Sequence, residues 1–145
     1  MATVTQRRKE GSLIIDQTWL GEQIKRIANQ MAGKSAFEIG LYVESQAKSL
    51  APVDTGRLAG SIHTVAQVGL KTSPVTKFGD KPIEAPTRLG EVYVGTSVDY
   101  APYMEYGTVK TDAQPFLRPA LAIAKGEALT IVEDNGKMAF KEYLK

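Results

Sequence analysis

Two short stretches carry the clear strand character of this chain, IHTVAQVGLK (62–71) and GEVYVGTS (90–97). Ile62, Thr64, Ala66 and Val68 fall on one side of the first, and Val92 and Val94 on one face of the second. Longer stretches on both sides carry apolar residues at helical spacing. Two strands of this length cannot close a sandwich or a barrel. The expectation is therefore an α+β fold, a small antiparallel sheet packed against N-terminal and C-terminal helices. With 145 residues the chain fits a single domain, 1–145, with room for a core.

On the N-terminal side, residues 1–15 read as a polar, basic arm (Arg7, Arg8, Lys9), loose or forming an edge strand through SLIID. Asp16 or Thr18 caps the helix that follows. From Trp19 the apolar positions Trp19, Leu20, Ile24, Ile27 and Met31 recur at helical spacing, and the pattern resumes with Ala36, Ile39, Leu41, Val43, Ala47 and Leu50. A break near Gly33, with Ser35 as a second cap, is favoured over one long helix. The helix stops near Leu50, because Ala51 precedes Pro52 and is driven towards extended dihedrals. VDTGRLAGSI then reads as a turn into a short helix, capped by Asp54 or Thr55, with Leu58 and Ile62 on one face.

Between the strands, residues 70–90 carry prolines 74, 82 and 86 and form a long loop or a hairpin insertion. VDYAPYMEYGT follows, dense in tyrosine. A helix opening at Pro115 keeps Pro119 in its tolerant first turn and presents Phe116, Leu117, Ala120, Leu121 and Ala124 inward. Gly136 interrupts a last helical piece, whose Met138, Phe140 and Leu144 pack back.

Composition removes several kinds of chemistry. There is no cysteine, hence no disulfide, thiolate metal site or cysteine nucleophile, and the single histidine, His63, cannot build a His-rich metal cluster. The net charge of +2 is small and names no partner by itself. No stretch approaches the roughly 20 apolar residues of a membrane span, and the N-terminus has no apolar core of a signal peptide; no membrane partner is expected, and synthesis in the cytosol is.

Asp54-Thr55-Gly56 repeats the triplet around the catalytic aspartate of aspartic proteases, which need two carboxylates sharing a proton. A chain with one triplet would have to dimerise. In retroviral enzymes the triplet follows an apolar strand in an all-β fold and a small residue comes next. Here it follows a helix and the kinked Ala51-Pro52, and Arg57-Leu58 come after it. A cap with a glycine-relieved turn is the better reading. His63 lies opposite Ile62 on the strand with no acid or nucleophile partner in sequence, and reads as a solvated or hydrogen-bonded histidine. Tyr93, Tyr100, Tyr103 and Tyr106 could stack nucleic-acid bases, but Asp99 and Glu105 are interleaved and basic residues are sparse; core or interface packing is the better reading. No phosphate-binding glycine loop, cofactor motif or metal-ligand spacing is present.

Three segments in order, AKSLAPVDTGRLAGSI (47–62), VYVGTSVDYAPYMEYGT (92–108) and AQPFLRPAL (113–121), resemble the head–tail joining family of long-tailed bacteriophages, also called neck or tail-completion proteins. The resemblance implies a small α+β virion protein without enzymatic activity or cofactor. It implies a homo-oligomeric ring, most often of six copies, at the junction of head and tail. Its neighbours would be a head-completion or connector protein on one side and a tail-terminator or tail-tube protein on the other, with a passing contact to phage DNA. A tail-terminator-like protein that caps the tail tube is the near alternative. A DNA-binding module lining the channel is a further one, and it predicts affinity that falls steeply with salt.

Structural or interface roles then fall to Asp54, Thr55, Gly56, Arg57 and Leu58 in the first segment. In the second they fall to Tyr100, Tyr103, Glu105, Tyr106 and Gly107, with Tyr100–Gly107 as a turn presenting aromatics and Pro102 fixing its geometry. In the third they fall to Pro115, Phe116 and Arg118. Arg57 and Arg118 are suited to pair with Glu105 or Asp99 on the same or a neighbouring subunit.

Overall fold

The computed structural model describes residues 4–10, 13–19, 21–52, 56–67 and 83–143. Asp54, Thr55, Val68, Leu144 and the greater part of the 70–90 insertion lie outside the described residues. The elements run β1 (Val4–Glu10), β2 (Leu13–Trp19), α1 (Gly21–Leu50), α2 (Arg57–Ser61), β3 (His63–Ala66), β4 (Val92–Gly95), α3 (Ala101–Tyr106) and α4 (Leu117–Tyr143). β1 pairs antiparallel with β2, and β3 with β4, giving two two-stranded sheets among the described residues. The helices α1 and α4 pack with the β3–β4 sheet, as an α+β fold requires.

The N-terminal region pairs as two antiparallel strands, with Val4 opposite Trp19 and Glu10 opposite Leu13. Asp16, Thr18 and Trp19 are therefore strand residues rather than the cap and first turn of a helix, and α1 begins at Gly21. In the sequence the two strands are separated by Gly-Ser, a dipeptide suited to tight hairpins. The strand VTQRRKE carries almost no apolar alternation, so the pairing is invisible in its hydrophobic pattern.

α1 runs unbroken through Gly33 and Ser35, contrary to the expected break. One helical glycine costs only about 1 kcal/mol relative to alanine, and Gly33 and Ser35 are both buried, so packing overrides the local signal. The predicted stop holds: Leu50 is the last helical residue, before Ala51-Pro52. α4 is likewise continuous through Gly136, where an added Cβ would sit 3.3 Å from the Met31 methyl. Gly136 admits Met31 rather than ending the helix. The helix starts at Leu117, two residues later than Pro115.

α4 lies antiparallel to α1. Glu38 accepts a hydrogen bond from Asn135, and Val43 lies near Leu117 while Ile24 lies near Phe140. Between them small residues permit close approach. Val43 and Ala47 from α1, and Ala51 just after it, meet Phe116, Ala120 and Ala124, together with Leu58 and Ile62. Phe116 is fully buried, which by itself contributes about 1.5–3 kcal/mol. Leu121, expected on this inner face, is half exposed, as are Met138 and Phe140.

β3 lies across α1 at Gly40. A Cβ there would come within 2.6 Å of Thr64 Cγ2, so only glycine lets the strand sit this close. The Thr64 hydroxyl uses that proximity, its single hydrogen directed at Glu44 Oε2 at 2.7 Å and shared with the Gly40 carbonyl at 3.1 Å. Glu44, buried on α1, also accepts from Lys48. All four β3 residues are buried, including His63, which was expected on a solvated face or fully bonded. Its Nδ1 donates to the Ser61 carbonyl at 2.8 Å, while Nε2 is buried and has no hydrogen-bond partner among the described residues. The described end of the insertion returns to this sheet: Pro86 is fully buried and Gln67 donates to the Thr87 carbonyl.

Candidate functional site

The most elaborately bonded polar group of the described residues is Glu105, on α3. The expected turn at Tyr100–Gly107 is in fact this short helix, started by Pro102 in its first turn and closed by Gly107. Gly107 has φ +76°, and a Cβ on it would meet Ala113 N at 2.8 Å and Thr111 O at 3.0 Å. Both its conformation and its surroundings therefore require glycine. The chain after it folds back: Thr108 N–H donates to Thr111 O, the Thr108 hydroxyl accepts from Lys110 and Thr111 N–H, and Gln114 N–H reaches Met104 O at 2.7 Å.

That return delivers the start of α4 to the end of α3. The first N–H groups of a helix have no partner within it. Here Glu105 Oε2 accepts from Phe116 N–H at 2.8 Å and Leu117 N–H at 3.0 Å, and Oε1 from Arg118 N–H at 3.0 Å. Arg118 Nε donates to the same Oε1 at 3.0 Å, and Nη2 to the Glu105 backbone carbonyl at 2.9 Å. Glu105 thus caps a helix from outside it, and its charge lies at the positive end of the helix dipole. Burial pushes the Glu105 carboxyl up, but the N–H donors of Phe116, Leu117 and Arg118 and the Arg118 side chain outweigh it, holding the pKa below its usual value.

The guanidinium of Arg118 stacks over the Tyr106 ring, 4.8 Å from its centre. Of the four tyrosines read as packing or interface groups, none is in the core. Tyr103 is 61% exposed and Tyr106 69%, with Tyr93 and Tyr100 also exposed and Val109 fully so. The site therefore has a buried carboxylate that clamps the start of α4, paired with an exposed arginine, and an aromatic surface above.

The structure brings Tyr103, Glu105, Tyr106, Gly107, Phe116 and Arg118 together here, with Tyr100 at the N-cap of α3 and Pro115 just ahead of the capped N–H groups. Of the two expected partners for Arg118, the structure selects Glu105, within the same chain. A pairing of Arg57 with Glu105 does not occur within the chain, since α4 takes the carboxylate. Leu58 is a core residue, and Gly56, at φ +70°, stands at the N-cap position of α2, while Asp54 and Thr55, expected to cap it, lie outside the described residues. Capping signals are read from adjacent residues, so a cap supplied 11 to 13 positions upstream leaves no local trace in the sequence.

These features define a helix-rich α+β protein whose principal polar site is architectural, a clamp that fixes an aromatic surface on the fold. Residues 16–107 match the family described as "Bacteriophage HK97-gp10, putative tail-component", and the chain belongs to that family of phage tail components. No curated protein and no solved structure shows significant similarity to it. The matched region includes Glu105 and ends at Gly107; the segment that Glu105 caps lies beyond it.

Proposed function

We propose that this chain is a structural virion protein of the phage neck, forming a ring that joins head to tail, with no catalytic activity. Membership of a phage tail-component family carries this reading. The exposed tyrosines on the α3–α4 junction support it, because aromatic surface on a rigid base suits protein–protein contact. Its neighbours in this reading are a connector or head-completion protein and a tail-terminator or tail-tube protein. Among the described residues no helix is long and apolar enough to cross a membrane.

Light scattering of the purified chain, alone and mixed with tails or heads that lack it, tests the proposal. A defined ring, in solution or on one of these particles, supports it. A stable dimer with affinity for neither particle overturns it and makes Asp54→Asn the next variant to assay for lost proteolysis.

A further inference from the structure

An apolar groove of about 650 Å³ opens beside the α1–α4 seam, at the end of the molecule away from the aromatic surface. Ile24, Ala28 and Met31 from α1 and Val132 and Phe140 from α4 line it. Its flank on α1 is net basic, with Lys25, Arg26 and Lys34 against Glu22 and against Glu38, which pairs with Lys34 at 3.9 Å. At the opposite end Tyr103, Tyr106 and Val109 are exposed on α3 and the turn after it, with exposed Asp99 and Asp112 against Lys110, while Arg118 over the Tyr106 ring is paired with Glu105. The two surfaces are separated along α4: from Arg118, under Tyr106, the helix rises about 21 Å to Val132 and about 33 Å to Phe140, both in the groove, at roughly 1.5 Å per residue.

We propose that the groove receives the α3 end of a second copy of this chain, so that copies associate head to tail. A concave apolar surface with a net basic flank at one end and an exposed aromatic surface with net acidic neighbours at the other are the complementary, non-identical patches that a heterologous contact needs. Such a contact closes into a ring when the rotation between copies allows and extends otherwise. The inference rests on the ring reading above and names the surfaces that make the ring.

The chain has no native cysteine, so single cysteines report on single positions. Ala28→Cys places a thiol in the groove and Val109→Cys places one on the projecting end, both at exposed sites that leave the core untouched. A bismaleimide is added to each variant alone and to their equimolar mixture, in concentrated solution and on purified particles. Cross-linked dimer in the mixture alone is expected, with its yield reduced about tenfold by Ile24→Asp at unchanged melting temperature. Cross-linking of either variant with itself indicates a two-fold contact and overturns the proposal. A ring by light scattering without the mixed product overturns the pairing of surfaces but leaves the ring reading standing; absence of any assembly overturns both. If the thiol of Ala28→Cys is shielded from a monofunctional maleimide in dilute monomer, another segment of the same chain fills the groove, which also overturns the proposal.

Discussion

Glu105→Gln tests the clamp with almost no change of shape. In the wild type four N–H groups converge on the carboxylate, three of them backbone donors of the first turn of α4. A glutamine offers one acceptor oxygen, so its amide NH₂ must face two of those donors whichever way it is turned. Losing the cap costs about 1–2 kcal/mol. Leaving one partly buried N–H unsatisfied adds about 1–3 kcal/mol. The Arg118 side chain is more than half exposed, and its ion pair is screened by water, so it contributes under about 1 kcal/mol. The sum is a loss of about 3 kcal/mol, or roughly 10 °C in melting temperature for a chain of this size. Urea titration followed by far-ultraviolet circular dichroism at pH 7 measures it, with Arg118→Lys as the control expected to lose less than about 1 kcal/mol. The folded-state pKa of Glu105 lies below its unfolded value, so its stabilisation is present above the usual glutamate value of 4.5 and is lost as pH falls through the folded value. Glutamine does not titrate. The gap between wild type and Glu105→Gln must therefore narrow on acidification below that range. A loss at pH 7 no larger than that of Arg118→Lys, or a gap that is flat with pH, refutes the clamp.

Three glycines are expected to respond to alanine in different ways. Gly107→Ala combines positive φ with a backbone clash and should destabilise by about 2–3 kcal/mol, seen as a lowered urea midpoint. Gly40→Ala drives a methyl into Thr64 and should cost about 1–3 kcal/mol in the same titration despite better helix propensity, with Gly40→Ala/Thr64→Ser recovering part of the loss. Gly126, inside α4 with open space around its Cα, should gain about 1 kcal/mol on substitution by alanine, raising the melting temperature in a thermal scan.

What the sequence reveals here follows the range over which its signals act. Ala51-Pro52 ends α1 where expected, because proline restricts the residue beside it. The short α2 and the positions of β3 and β4 were legible for the same reason, since alternation and turn residues are local. Gly33 and Gly136 misled, because each is small enough to look like punctuation and is buried or closely packed for contact with distant residues. Arg118 and Glu105 were read as partners from charge and shape, yet the larger part of Glu105's role, the cap, depends on a fold-back through Gly107 to Gln114. The β1–β2 pairing escaped because a polar strand carries no hydrophobic period. The exposed tyrosines were legible as a cluster, while their exposure depends on how α3 is mounted.

The clamp and the α1–α4 seam also differ in when they can form. Glu105 meets its N–H partners across 11 to 13 residues, whereas Glu38 and Asn135 meet across 97. Closing the longer loop costs about 2 kcal/mol more in chain entropy, on a logarithmic scaling with loop length. On that scaling the α3–α4 corner is expected to form before the seam. Weakening the corner should then slow folding and weakening the seam chiefly speed unfolding, which chevron kinetics of Glu105→Gln and Asn135→Ala would read as high and low φ-values. The two ends of α4 are expected to act on opposite arms of the chevron.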